Sequence, residues 1–152
     1  TGAYAVNVAV TDELQNRQVV ESAEITYICP SAMNISGTYT AYASGETGGG
    51  DPYDNLITVV TLTQLNDGQF SIDDMSFGLF TGIYGEDDED KPAGILNVCG
   101  LDITADGTIE DMYGDTYEIT GVAVPETTNI ITLEWVNTYG DGGKVTLVKN
   151  PD

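Results

Sequence analysis

With 152 residues and 41% hydrophobic side chains, the chain holds enough apolar material for one folded domain, or one domain plus a fragment of another; wholesale disorder is excluded. Its 25 acidic residues face only Arg17, Lys91, Lys144 and Lys149, for a formal net charge of −21. Such a surface repels phosphate backbones and anionic membrane faces, which excludes nucleic acid as a partner. There is no histidine, which removes Ser–His and Cys–His nucleophilic pairs and the usual zinc ligands.

In chain order, residues 3–10 alternate, with Tyr4, Val6, Val8 and Val10 on one face of a strand. A polar connection over residues 11–17 leads to a second strand over 19–28, with Val19, Ala23, Ile25 and Tyr27 in step. Two strands alone are marginal in water, so this hairpin is expected to pair with something more. Cys29 and Pro30 open a break over 29–34, read as a linker, since proline cannot donate into a ladder. Cys29 and Cys99 allow one disulfide or two buried thiols, and their number does not choose between them.

From residue 35 the pattern is a run of strands. Residues 35–44 form one, with Tyr39 and Tyr42 among small residues, and a glycine-rich loop over 45–54 leads to a long β-branched strand over 55–65. Asp67-Gly68 turns it into a strand over 69–73. Residues 75–85 are apolar but interrupted by glycines, which reads as a bent or bulged strand. A charged loop over 85–92 precedes a strand over 94–104, which Asp106-Gly107 turns into a return strand over 108–112. Strands over 117–124 and 129–149 complete the set. In the last of these, Ile131, Leu133 and Trp135 share one face, and Gly140, Asp141, Gly142 and Gly143 close a hairpin. Short strands joined by tight turns predict an all-β fold, an antiparallel meander forming a small lipocalin-like barrel or a curved β-sandwich over 34–152, preceded by the hairpin of 1–30.

No apolar run reaches the roughly 18 residues of a transmembrane helix. Residues 1–4 already read as strand rather than signal peptide, so the chain is expected to be a mature or trimmed piece. Enzymatic activity is not expected: no nucleotide-binding glycine pattern opens a helix, and among 25 acidic residues some pair falls at glycosidase spacing by chance. Residues 102–109 mimic the start of a calcium loop, but position twelve is Tyr113 instead of glutamate, so a strand end and turn is the better reading. No metal site is expected. The run Glu86, Asp87, Asp88, Glu89, Asp90 reads as a solvated loop, with weak calcium collection at 86–90 as its sharper alternative.

Aromatic residues are the remaining handle. Nine tyrosines and one tryptophan against three phenylalanines favour rings with a polar edge, which suit sugar faces. Tyr53, Tyr84 and Tyr139 fall in loops and are expected to be exposed, with Asp51, Asn55, Asn137 and Asp141 near them as hydroxyl partners. The bland alternative is that tyrosines are good strand formers, half-buried at sheet edges. Trp135 is expected in the core.

The segment from Thr1 to Asp12, with Ala23 to Ile28, resembles the last hairpin of an immunoglobulin-like or cadherin-like module. The opening at Ile35, Ser36, Gly37, Thr38 and Tyr39 and the ending from Trp135 to Gly143 resemble the C-terminal β domains of Bacteroides-type cell-surface lipoproteins of polysaccharide-utilisation systems. That resemblance implies residues 1–30 as the end of an immunoglobulin-like module. It implies a cell-surface, outer-membrane or otherwise extracellular or periplasmic location, with a lipid anchor upstream of this chain. The leading expectation is a non-catalytic accessory protein binding glycan through Tyr53, Tyr84, Tyr139, Asp51 and Asp141, without cofactor. The alternatives are a lipocalin-like carrier lined by Leu62, Phe70, Phe77, Phe80 and Ile95, and a structural spacer or interaction module without ligand.

Overall fold

The structure, a computed structural model, describes residues 2–11, 17–27, 29, 32–123 and 129–152, the first two segments as backbone alone. The chain divides into two compact units, Thr1–Pro30 and Ser31–Asp152. The first is an antiparallel pair, β1 (Gly2–Thr11) and β2 (Arg17–Tyr27), with a register shift between Val6 and Val8. The apolar faces expected on these strands, and residues 12–16 of the connection, lie outside what is described.

The second unit holds β3 (Gly37–Glu46), β4 (Pro52–Asn66), β5 (Gln69–Ile72), β6 (Gly94–Cys99), β7 (Asp102–Ala105), β8 (Tyr117–Ala123), β9 (Ile130–Asn137) and β10 (Gly142–Lys149). Each pairs antiparallel with the next, and β10 closes onto β3 from Gly142↔Glu46 to Lys149↔Tyr39. The meander is therefore a closed barrel, which leaves no sheet edge to template aggregation. Eight strands enclose a space just wide enough for side chains to fill.

Period-two alternation decides what fills it. On β9, Ile131, Leu133 and Trp135 are buried while Thr132 and Glu134 are exposed, as expected. Trp135 stacks on Tyr117 with ring centroids 5.8 Å apart and planes 18° apart, and Phe77 packs on it at 6.0 Å. Tyr39, Leu62, Phe70 and Phe77 are each 1% exposed or less, so no water-sized void touches them. The carrier alternative fails on this packing, and Ile95, one of its supposed lining residues, lies on the partly exposed face of β6, where Leu96 points inward.

Three segments differ from expectation for local reasons. Residues 75–85 are not a strand. The buried Asp74 carboxylate accepts from Ser76 N (2.9 Å), Ser76 Oγ (2.6 Å) and Gly78 N (2.8 Å), which winds the chain into a turn and one helical turn, α1 (Leu79–Gly82). This segment sends Met75, Phe77 and Leu79 into the core. Residues 94–104 are not one strand: Gly100, at φ +61°, reverses the chain between β6 and β7. Residues 108–112 are not a strand either. Asp111 accepts from Tyr113 N (2.9 Å), Asp115 N (3.0 Å) and Tyr117 Oη (2.9 Å), and only Glu110 bridges across, to Thr116. Within the linker expected over 29–34, Ala32 and Met33 lie against the core, and the division between the two units falls between residues 30 and 31. Pro30, Ser31 and Val124 lie outside the described residues. Cys29 and Cys99 are disulfide-bonded, which resolves the open choice between thiols and a bridge. Among the described residues no helix is long and apolar enough to cross a membrane.

Because successive strands alternate in direction, the connections 47–51, 73–93, 106–116 and 138–141 emerge at one rim, and the tight turns at 67–68 and 100–101 at the other. The two longest connections, 73–93 and 106–116, thus share one end.

Candidate functional site

At the long-loop rim, Phe80, Tyr84, Glu86, Tyr113, Asp115, Asn137, Tyr139 and Asp141 line an open cleft of about 630 Å³. Three loops each supply a Tyr-Gly-acid tripeptide to it: Tyr84-Gly85-Glu86, Tyr113-Gly114-Asp115 and Tyr139-Gly140-Asp141. The central glycine has positive φ in all three, +73°, +84° and +107°, so the chain turns sharply between ring and carboxylate. Every Tyr-Gly pair in the sequence lies in this cleft.

The loops are tied together by tyrosine–carboxylate hydrogen bonds. Tyr84 Oη donates to Asp141 Oδ1 at 2.5 Å, and the Tyr113 hydroxyl donates to Glu86. Asp141 is buried with both oxygens engaged, accepting also from Gly48 N (2.8 Å) and, through Oδ2, from Asn137 Nδ2 (3.0 Å). Asn137 Oδ1 in turn accepts from Gly140 N (3.0 Å) and Asp141 N (2.9 Å), which locks the β9–β10 turn. Desolvation first, and then Asp141, hold the Tyr84 phenol well above the usual tyrosine range. For Tyr113 the hydrogen bond to Glu86 is the first cause of a rise. Asp115 Oδ1 accepts from Thr138 Oγ1 at 2.6 Å.

The rings form the apolar part. Phe80 lies 6.2 Å from Tyr84, edge-on at 66°, and 5.9 Å from Tyr113, tilted by 56°. Tyr84, Tyr113 and Tyr139 remain 41%, 60% and 61% exposed. Tyr139 lies against the backbone of Gly48, where an added Cβ would come 2.6 Å from its Cδ1. Among the described residues no lysine or arginine lines the cleft; Lys91 pairs with Asp88 of the acidic run at 3.0 Å. Among the described residues no group of three or more His, Cys, Asp or Glu is arranged to hold a metal ion.

Of the sequence-predicted residues, Tyr84, Tyr139 and Asp141 meet here, with Asn137 beside them. Tyr53 does not. It starts β4 facing inward, 8% exposed, and its hydroxyl donates to Gly142 O at 3.0 Å. A Cβ at Gly45 or Gly143 would approach that oxygen to 2.8 or 2.7 Å, so these strand glycines make its seat. The Trp135 indole N–H faces the same hydroxyl but makes no hydrogen bond of good geometry. Asp51 is exposed on the 47–51 turn, its backbone tied to Thr47 (Asp51 N to Thr47 Oγ1, 3.1 Å), and acts on Tyr84 through its charge alone. Asn55 is at a β-bulge in β4 at φ +52°, not in the cleft.

Residues 30–149 match the model of a family described as "-like, C-terminal domain". The chain belongs to that C-terminal-domain family. Among solved structures, the lipoprotein BT2262 from Bacteroides thetaiotaomicron is similar, with a TM-score of 0.59 and 19% identity over 98% of this chain and 75% of that one. At that identity the likeness speaks to the barrel fold. No curated protein matches the chain.

Sequence reasoning missed Glu86, Tyr113 and Asp115 as partners of the tyrosines it chose. The signal for this member of the family was the threefold Tyr-Gly-acid repeat, combined with the rule that every second connection of a meander emerges at the same rim.

Proposed function

We propose that this protein is a non-catalytic accessory protein of a Bacteroides-type cell envelope that binds carbohydrate in the three-tyrosine cleft. The observation that carries this reading is the convergence of Tyr84, Tyr113 and Tyr139, each with an uncovered ring, on one open cleft with carboxylate acceptors held between them. A pyranose presents an apolar C–H face to such rings and hydroxyl donors to such carboxylates. The fold likeness to a Bacteroides lipoprotein supports an envelope location, and with it a lipid anchor upstream and a place beside polysaccharide-utilisation proteins. In the same reading, residues 1–30 are the end of an immunoglobulin-like module, and neither calcium nor any other cofactor takes part.

A glycan array probed with the parent and with Tyr139→Ala tests it. Retention of one glycan class by the parent, with loss of at least about tenfold in the variant, is the expected result. No glycan above background, or a variant indistinguishable from the parent, would leave the spacer reading in its place.

A further inference from the structure

The three Tyr-Gly-acid tripeptides form an incomplete ring of hydrogen bonds. The tyrosine of the second loop donates to the acid of the first (Tyr113 to Glu86), and the tyrosine of the first donates to the acid of the third (Tyr84 to Asp141). The remaining combination, tyrosine of the third loop with acid of the second, is not made. Among the described residues the Tyr139 hydroxyl donates to nothing, and Asp115 uses only Oδ1, for Thr138. Glu86 Oε2 likewise accepts no bond. Among the described residues the cleft therefore offers one hydroxyl and two carboxylate oxygens without protein partners, and no lysine or arginine lines it to balance them.

We propose that the open Tyr139/Asp115 pair is the ligand-contact point of the cleft, and that it selects sugars carrying a protonated amine. This rests on the carbohydrate reading above. An ammonium donates to Asp115 Oδ2 as a charge-assisted hydrogen bond, roughly twice as strong as a neutral one. The adjacent sugar hydroxyl accepts from Tyr139, and the exposed faces of Tyr113 and Tyr139 attract the cation. Vicinal amine and hydroxyl groups are the arrangement of a 2-amino-2-deoxyhexose. Uronic and sulfated glycans are repelled by the same carboxylates.

The experiment is isothermal titration of the intact chain, at slightly acidic pH where sugar amines are protonated, with glucosamine tetramer, N-acetylglucosamine tetramer and galacturonic acid tetramer. The expected result is about tenfold tighter binding of the amine than of the acetylated tetramer, with no binding of the uronide. Asp115→Asn, which still accepts from Thr138, should bring the amine tetramer to the affinity of the acetylated one. Equal affinity for the two in the parent, or a preference that survives Asp115→Asn, overturns the amine inference and leaves carbohydrate binding standing. Amine binding that persists in Tyr139→Ala and vanishes with salt is diffuse attraction to the acidic surface and also overturns it. If neither tetramer binds and the glycan array is also blank, the carbohydrate reading fails as well.

Discussion

Tyrosines inside the barrel and tyrosines at its rim use the same side chain in opposite ways. Tyr39, Tyr53 and Tyr117 are buried to the ring, and their hydroxyls are satisfied by Ile35 O, Gly142 O and Asp111. Tyr84 and Tyr113 are also anchored by their hydroxyls, to Asp141 and Glu86, but leave ring surface uncovered, and Tyr139 leaves its hydroxyl unused as well. Covering the ring makes the hydroxyl a cost that a partner must offset. Leaving the ring bare makes the hydroxyl bond a way to aim it. Position relative to the barrel wall, not residue type, separates the buried tyrosines from the exposed ones.

The largest test of that contrast removes the interior's centre. Trp135→Ala should cost roughly 3–5 kcal/mol in urea denaturation, the range for deleting a large buried ring; a loss below about 1 kcal/mol would put Trp135 with the rim. Next is alkali. Burial pushes Tyr39 and Tyr53 up to about 12 from a usual 10.0. The folded state then holds these protons more tightly than the unfolded chain, so this stability is complete below the usual value and lost as pH rises toward 12. Each phenol contributes at most about 1.4 kcal/mol per pH unit across that window. Urea midpoints that stay flat there would show both hydroxyls to be solvated.

A smaller effect tests whether the β5–β6 segment belongs to the core. A Cβ on Gly94 would lie 2.2 Å from Met75 Sδ, so Gly94→Ala should destabilise by about 1–3 kcal/mol through overpacking. A neutral result would mean that Met75 has room to leave. The smallest effect on stability is expected at the rim: Tyr139→Ala should shift unfolding by less than about 0.5 kcal/mol while removing ligand retention on the glycan array. A large stability loss there would erase the distinction between the two classes of tyrosine.

Much of the fold was legible because a period of two is a local property. The stripe Ile131, Leu133, Trp135 announces both a strand and its buried face, and Asp67-Gly68 announces its turn. Where a side chain competes with the ladder, the reading failed. Asp74 and Asp111 each gather nearby donors into turns that no alternation pattern reveals. The β6–β7 reversal left one trace: the inward parity changes between Val98 and Ile103, which a single straight strand does not allow.

At the candidate site, sequence alone determined that the chain is acidic, rich in tyrosine, without histidine, and built from strands with aromatic loops; it also carried the three Tyr-Gly-acid tripeptides in plain view. Only the tertiary structure decided that Tyr53 points inward, because its seat is made by Gly45 and Gly143, on strands distant in sequence that meet when the barrel closes. The same closure brings loops 73–93, 106–116 and 138–141 to one rim and lets the tyrosine of one loop bond the acid of another. Composition and periodicity are carried by neighbours along the chain. A cleft is made by residues far apart along it, so it exists only once the ends of the sheet have joined.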